Sequence, residues 1–195
     1  MSQATSTDYV DVSITDVRRV LPAEGKTVSR NVVLLQEQGA SARLLPIWIG
    51  SFEAESLLMA LVGREVPRPL TFTFANSVLE AAGGQLKEVR IHQILDETYY
   101  AETVIQGSDG KERSVDSRPS DAMSLALVKK VPIRVGESVM ATCGVDAAGL
   151  GELPAADGRR VQSMQDILAD MDRRRIEREA DMAETLAKVR ERRGG

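Results

Sequence analysis

Three stretches with strand character follow one another between residues 9 and 49, with no helical pattern between them. This order limits the fold more than any other feature of the chain. Over 9–20, Val10, Val12 and Ile14 alternate with Asp11, Ser13 and Thr15, the period of a half-buried strand. A second strand is predicted over 28–38, around an apolar run Val32–Leu35, and a third over Arg43–Ile49, with Leu45, Ile47 and Ile49 on one face. Pro46 inside the third argues for an edge or a bulge, since proline cannot donate to a ladder. Helical patterns follow at 51–62 and 71–82. The first has Ser51 as its N-cap and Glu53 and Glu55 in its first turn, and the second stops at Gly83-Gly84. Strands come next at 85–95, 98–106 and 112–116, the last two joined by the turn signal Asp109-Gly110. A helix opens at Pro119 and ends near Lys129-Lys130; a short strand (132–135) and a short helix (137–142) complete the pattern. Blocks of strands separated by blocks of helices are not the alternation of a doubly wound parallel sheet. They predict an α+β fold with a mixed or antiparallel sheet and helices mainly on one face.

The chain has 195 residues. A chain of that size buries roughly 70% of its unfolded surface without metal or disulfide staples. Composition divides it into an α+β domain over 8–143, a Gly/Ala/Pro-rich linker over 144–160 and a charged helical arm over 161–193. The arm carries Met164, Ile167, Leu168 and Met171 as one apolar stripe and Ile176, Ala180, Ala183 and Leu186 as a weaker one, interrupted at Arg173–Arg175. Its interleaved charges predict a solvated helix docking on the body or on a second chain, rather than a nucleic-acid-binding arm.

Net charge is −4. From Arg159 onward ten basic and eight acidic residues leave +2, so residues 1–158 carry −6. Such a body lacks the basic stripe of a passive nucleic-acid binder, so a polyanionic substrate needs local help from a cation, helix N-termini or a few arginines. One cysteine, Cys143, and one histidine, His92, exclude a Cys/His zinc site and an internal disulfide. His92 falls on the polar face of its strand with Glu88 and Arg90, which argues against a Ser-His hydrolase. No apolar run approaches the ~20 residues that span a bilayer. Nor does the N-terminus read as a secretory signal, so a cytoplasmic protein with no membrane partner is expected.

Two strand-to-helix junctions remain as places for chemistry: Leu45–Glu53 and Asp116–Asp121. Each sets polar residues at the positive end of a helix, where free N–H groups favour anions. In the second, Pro119 holds Arg118 extended, and Asp116 and Arg118, two apart, are expected to project to the same side. A structural role would have Asp121 cap the helix and Arg118 pair with Asp116. A functional role would use Asp116 and Asp121 as ligands of a divalent cation (Mg²⁺ or Mn²⁺), with Glu53 assisting and Arg118 on a phosphate.

The segments LPIWIGSFEAESLLMAL, RPLTFTFANSVLEAAGG and VDSRPSDAMSLALVKKVPIRV resemble the bifunctional nuclease domain family in order and spacing, over roughly residues 10–142. The resemblance implies a self-associating α+β domain, a homodimer or other homo-oligomer, acting on DNA and RNA. Carried over by motif, it adds Arg43 and Ser120 as substrate-binding candidates to the catalytic set Glu53, Asp116, Arg118 and Asp121. One departure is plain: where the family commonly reads RPLTHD, this chain has Phe72 and Thr73 in place of the His and Asp. Two other functions fit the same residues: a non-catalytic oligomeric scaffold, and, more weakly, a small-anion sensor at the two helix N-termini.

Overall fold

The computed structural model describes residues 9–22, 28–39, 43–64, 66–146 and 160–193. In chain order its elements are β1 (Tyr9–Val20), β2 (Arg30–Glu37), β3 (Arg43–Ile49), α1 (Ser51–Leu61), α2 (Thr71–Ala81), β4 (Gln85–Leu95), β5 (Thr98–Gln106), β6 (Glu112–Ser117), α3 (Pro119–Lys129), β7 (Ile133–Gly136), α4 (Glu137–Cys143), β8 (Val145–Asp146), β9 (Val161–Gln162) and α5 (Met164–Arg193). The α+β class is borne out. One mixed sheet runs β6-β5-β4-β7-β1-β2-β3-β8, with β9 added to the end of β1. Every pairing is antiparallel except β4 with β7. That parallel pair is joined through β5, β6 and α3, the kind of long crossover a parallel ladder requires.

The alternation read from β1 to β3 now has a physical counterpart. Val33, Leu35, Leu45 and Ile47 are fully buried or nearly so, and they pack with Leu57 and Leu58 of α1, Val89 and Ile91 of β4 and Met123 of α3. Each such side chain contributes about 1.5–3 kcal/mol through removal from water. Pro46 lies in β3 where β2 is the only partner, because β8 pairs just with Arg43 and Leu44; its missing N–H therefore costs no ladder bond. The sheet bends far enough for its two wings to touch: the Tyr99 hydroxyl of β5 donates to the Pro46 carbonyl of β3 at 3.4 Å.

The sheet reaches into both edges of the expected linker and arm. Val145–Asp146 pairs with β3, Val161–Gln162 pairs with β1, and the rest of the linker, 147–159, lies outside the described residues. A two-residue strand shows no periodicity, which is why neither was legible. The arm begins as part of the body. Ser163 and Asp166 form a reciprocal cap, Ser163 N–H donating to Asp166 Oδ2 at 2.9 Å and Asp166 N–H to Ser163 Oγ at 3.2 Å. Ile167 is completely buried, with Met164, Leu168 and Met171 against the core. Arg64 holds Asp172 at 2.7 Å, and Arg174 reaches Glu55 of α1 at 2.7 Å. Beyond that point Ile176, Met182 and Leu186 are exposed. Among the described residues no helix is long and apolar enough to cross a membrane.

Candidate functional site

The two strand-to-helix junctions meet. Glu53, in the first turn of α1, accepts a hydrogen bond from Arg118 Nη1 at 3.0 Å, although 65 positions separate them. Arg118 also donates to both oxygens of Asp121, from Nε at 2.7 Å and from Nη2 at 3.1 Å, the two-pronged geometry a guanidinium offers a carboxylate. Asp121 foremost, then Glu53, holds the Arg118 guanidinium above its ordinary value. Arg118 nonetheless keeps 65% of its side chain exposed, so its planar head faces solvent.

Local sequence explains the placement. Arg118 is the N-cap residue of α3, extended at φ −71°, ψ 145° because Pro119 follows it, as expected. The expected partner is corrected: from that cap the guanidinium reaches forward one turn to Asp121, and not back to Asp116. Asp121 makes no side-chain cap hydrogen bond; its oxygens are taken by Arg118. Asp116 sits on edge strand β6 opposite Glu102, exposed, and among the described residues it has no side-chain hydrogen bond or ion pair. At α1 the N-cap is Gly50, not Ser51. The Ser51 hydroxyl is used elsewhere, accepting from Asn31 Nδ2 at 3.1 Å, while Asn31 Oδ1 accepts from Arg19 Nε at 3.1 Å. Asn31 is fully buried, and this chain of bonds satisfies it. The Glu53 side chain folds back over Gly50, where a Cβ would overlap its carboxylate.

Beside these groups lies a cavity of about 290 Å³, lined by Ile47, Trp48, Tyr99, Arg118 and Ser120 among others, with Glu53 and Glu97 on its rim. Ser120 is therefore at the site. Arg43 is not: it stands at the far end of β3, about 20 Å along the strand from Ile49. There it binds Glu37 at 2.7 Å and Glu137 at 2.8 Å, and these carboxylates hold its guanidinium above the ordinary value. His92 and Cys143 also lie outside the lining. Burial above all, and then the neighbouring Cys143, raise the Tyr99 phenol well above its usual pKa.

Three lining residues escaped sequence reasoning. Glu97 arrives on a two-residue β4–β5 turn in which Asp96 and Glu97 both hold positive φ, 47° and 58°, without the glycine that normally marks such a turn. Trp48 falls on the opposite face of β3 from Leu45, Ile47 and Ile49; a tryptophan at a solvent-facing position was the available clue. Tyr99 reaches the cavity only because the sheet bends, which no local pattern records.

Among the described residues no cluster of three or more acidic, cysteine or histidine side chains suits a metal ion. The donor set is two carboxylates, Glu53 and Asp121, sharing one arginine. So sparse a set is too small for a zinc or calcium cage. It fits Mg²⁺ or Mn²⁺, which keep several waters and take one or two carboxylates plus substrate phosphate.

A family model, the bifunctional nuclease domain, matches residues 32–148, a span that contains both junctions. The chain belongs to the bifunctional nuclease domain family. An uncharacterized protein of Mycobacterium tuberculosis is 40% identical over 113 residues, 58% of this chain and 66% of that protein. Bifunctional nuclease 1 of Oryza sativa is 31% identical over 123 residues, 62% of this chain and 37% of its own. Bifunctional nuclease 2 of Arabidopsis thaliana is 28% identical over 134 residues, 66% and 41%. The chain thus spans less than two thirds of the length of each of these relatives.

Proposed function

We propose that this domain hydrolyses phosphodiester bonds in nucleic acid at the end of the molecule where α1 and α3 begin, with Arg118 as the phosphate-binding group. The observation that carries the reading is the convergence of Glu53, Arg118 and Asp121 from two distant junctions beside one cavity. Both helix N-termini add partial positive charge there.

Arg118 bound to two carboxylates is a resting arrangement. A substrate phosphate competes for the exposed guanidinium, and the exchange frees Glu53 and Asp121, the residues that would hold a divalent cation. The cation, when bound, supplies Lewis acidity and an activated water. In the hydrolysis itself water adds to phosphorus as one P–O ester bond breaks. A released carboxylate accepts the water's proton, Arg118 offsets the charge growing on the phosphoryl oxygens, and the leaving oxygen takes a proton from solvent. The −6 body suits such a site, since it favours cation entry and leaves polyanion binding to a few local groups. Asp116, without a partner nearby, is assigned no contact in this scheme. The names of the plant relatives support the activity class; a cytoplasmic location and self-association are part of the same proposal.

The test is cleavage of plasmid DNA and of total RNA with Mg²⁺ or Mn²⁺, with and without EDTA. Metal-dependent cleavage that is lost in Glu53→Gln with Asp121→Asn is expected. Cleavage that persists in the double variant or in EDTA overturns the scheme. A second reading rests on one observation: Arg118 bridges a carboxylate of α1 and one of α3, as a lock between the two helices would. On that reading the domain is a non-catalytic oligomeric scaffold, no cleavage occurs under any condition, and sedimentation shows a stable oligomer.

A further inference from the structure

Aromatic residues are scarce here, seven in 195. Two of them line one cavity, and a third directly precedes a lining residue in the chain. Trp48 and Tyr99 line the cavity beside Arg118, and Phe52, immediately before Glu53, is 85% exposed, more than any other large apolar side chain described. Trp48 is itself 40% exposed. A phenyl ring left in water at that level adds nothing to the core, and exposed apolar groups clustered beside polar ones mark binding surfaces. Two guanidinium groups stand near the indole, among the carboxylates of Glu53 and Glu97. Arg30 of β2 lies over the Trp48 ring at 4.3 Å from its centroid, and Arg118 lines the same cavity. The indole is thus held in place by one guanidinium, and a second stands at the cavity wall. A flat apolar surface bracketed by cationic forks is what a base between two phosphates needs.

We infer that this cavity takes an unpaired nucleobase, packed against Trp48 and Phe52, and that the domain therefore engages single-stranded segments of DNA or RNA. The inference rests on the nuclease reading and gives it a substrate form. In a duplex each π-face is covered by the neighbouring pair, so a stacking platform selects bases already free of the stack. Stacking reads no base edge, so it tolerates sequence and does not distinguish ribose from deoxyribose.

Trp48 is the only tryptophan, so intrinsic fluorescence reports this one place. The full chain is titrated, in Ca²⁺ and separately in EDTA, with a ten-nucleotide oligo-dT, an oligo-rU of the same length, a matching duplex and a mononucleotide. Saturable quenching by both single strands is expected, at least tenfold tighter than by the duplex. Phe52→Ala, at a position too exposed to disturb folding, weakens single-strand binding about five- to hundredfold, the range for loss of one stacking partner. Trp48→Leu does the same when a labelled strand is followed by anisotropy, and circular dichroism checks that it is folded. Equal quenching by duplex and single strand, or no effect of Phe52→Ala, overturns the inference. A mononucleotide that binds as tightly as the strand also overturns it, in favour of a free-nucleotide pocket. Failure of the nuclease reading is told apart by a separate result: single-strand quenching without cleavage in Mg²⁺ or Mn²⁺ leaves the base site and removes the chemistry, while cleavage without quenching does the reverse.

Discussion

The paired helices α1 and α3 have two unlike ends. Both begin at the cavity with Glu53, Arg118 and Ser120, and both finish at a second cavity of about 300 Å³ lined by Met59, Leu70, Phe72 and Leu127 among others. They therefore run side by side in the same direction, and an eleven-residue helix separates the two ends by about 16 Å. The first end collects carboxylates, guanidinium groups and helix N-termini. The second is largely apolar, and it is where Phe72 and Thr73 stand in place of the family's commoner His and Asp. The difference teaches that the motif departure and the charged cluster are separate events in space: losing the His and Asp takes nothing away from Arg118.

The largest effect that can break this comparison is Arg118→Met. Cleavage of plasmid and RNA should fall by about 10²–10³, the usual loss when a donor to a developing anion is removed. The fold should survive because the side chain is mostly exposed. Unchanged cleavage would move the chemistry away from this end. Gly50→Ala comes next. Its φ of −71° accepts alanine, but the new Cβ displaces the Glu53 carboxylate, so roughly tenfold slower cleavage with an unchanged melting temperature is expected from combined assay and calorimetry. Phe72→His with Thr73→Asp, restoring the family motif, should alter cleavage less than twofold; a large gain would relocate the reaction to the second end. The smallest effect is a pH dependence at that second end. Arg64, which lines its cavity, holds the Asp172 carboxyl below its ordinary value. A carboxyl depressed in the fold contributes fully above its unfolded value, about pH 4, and its contribution fades as pH falls through the lower folded value. Docking of α5 should weaken slightly on that acid side, seen as faster amide exchange over 164–172, and Arg64→Met should abolish the trend.

Much of the fold was legible because its long elements carry strong periods. β1 and β3 have the bounds that alternation predicts, and α3 starts at the proline that fixes its first turn. The sheet order was not legible, since the parallel pairing of β4 with β7 depends on what packs over them and not on either strand alone. The two junctions singled out in the sequence do come together in the fold, but one expected ion pair does not form. Alternation along extended chain placed Asp116 beside Arg118, yet Arg118 is already a helix cap, and a long side chain there meets the residue one turn ahead. Arg43 lies away from the cavity for a different reason: it is close in sequence to the first junction, but a strand seven residues long carries its two ends to different places.

One consequence follows from the way α5 is seated. Its inner turns are embedded, its outer turns stand clear, and the last fastening between them is Arg174 on Glu55, a residue also gripped by Arg19. Glu55 lies two residues beyond Glu53 in the opening turns of α1. The free portion of this thirty-residue rod therefore departs from the body within one turn of the carboxylate that holds Arg118, so whatever engages its outer face sits close to the cavity's threshold.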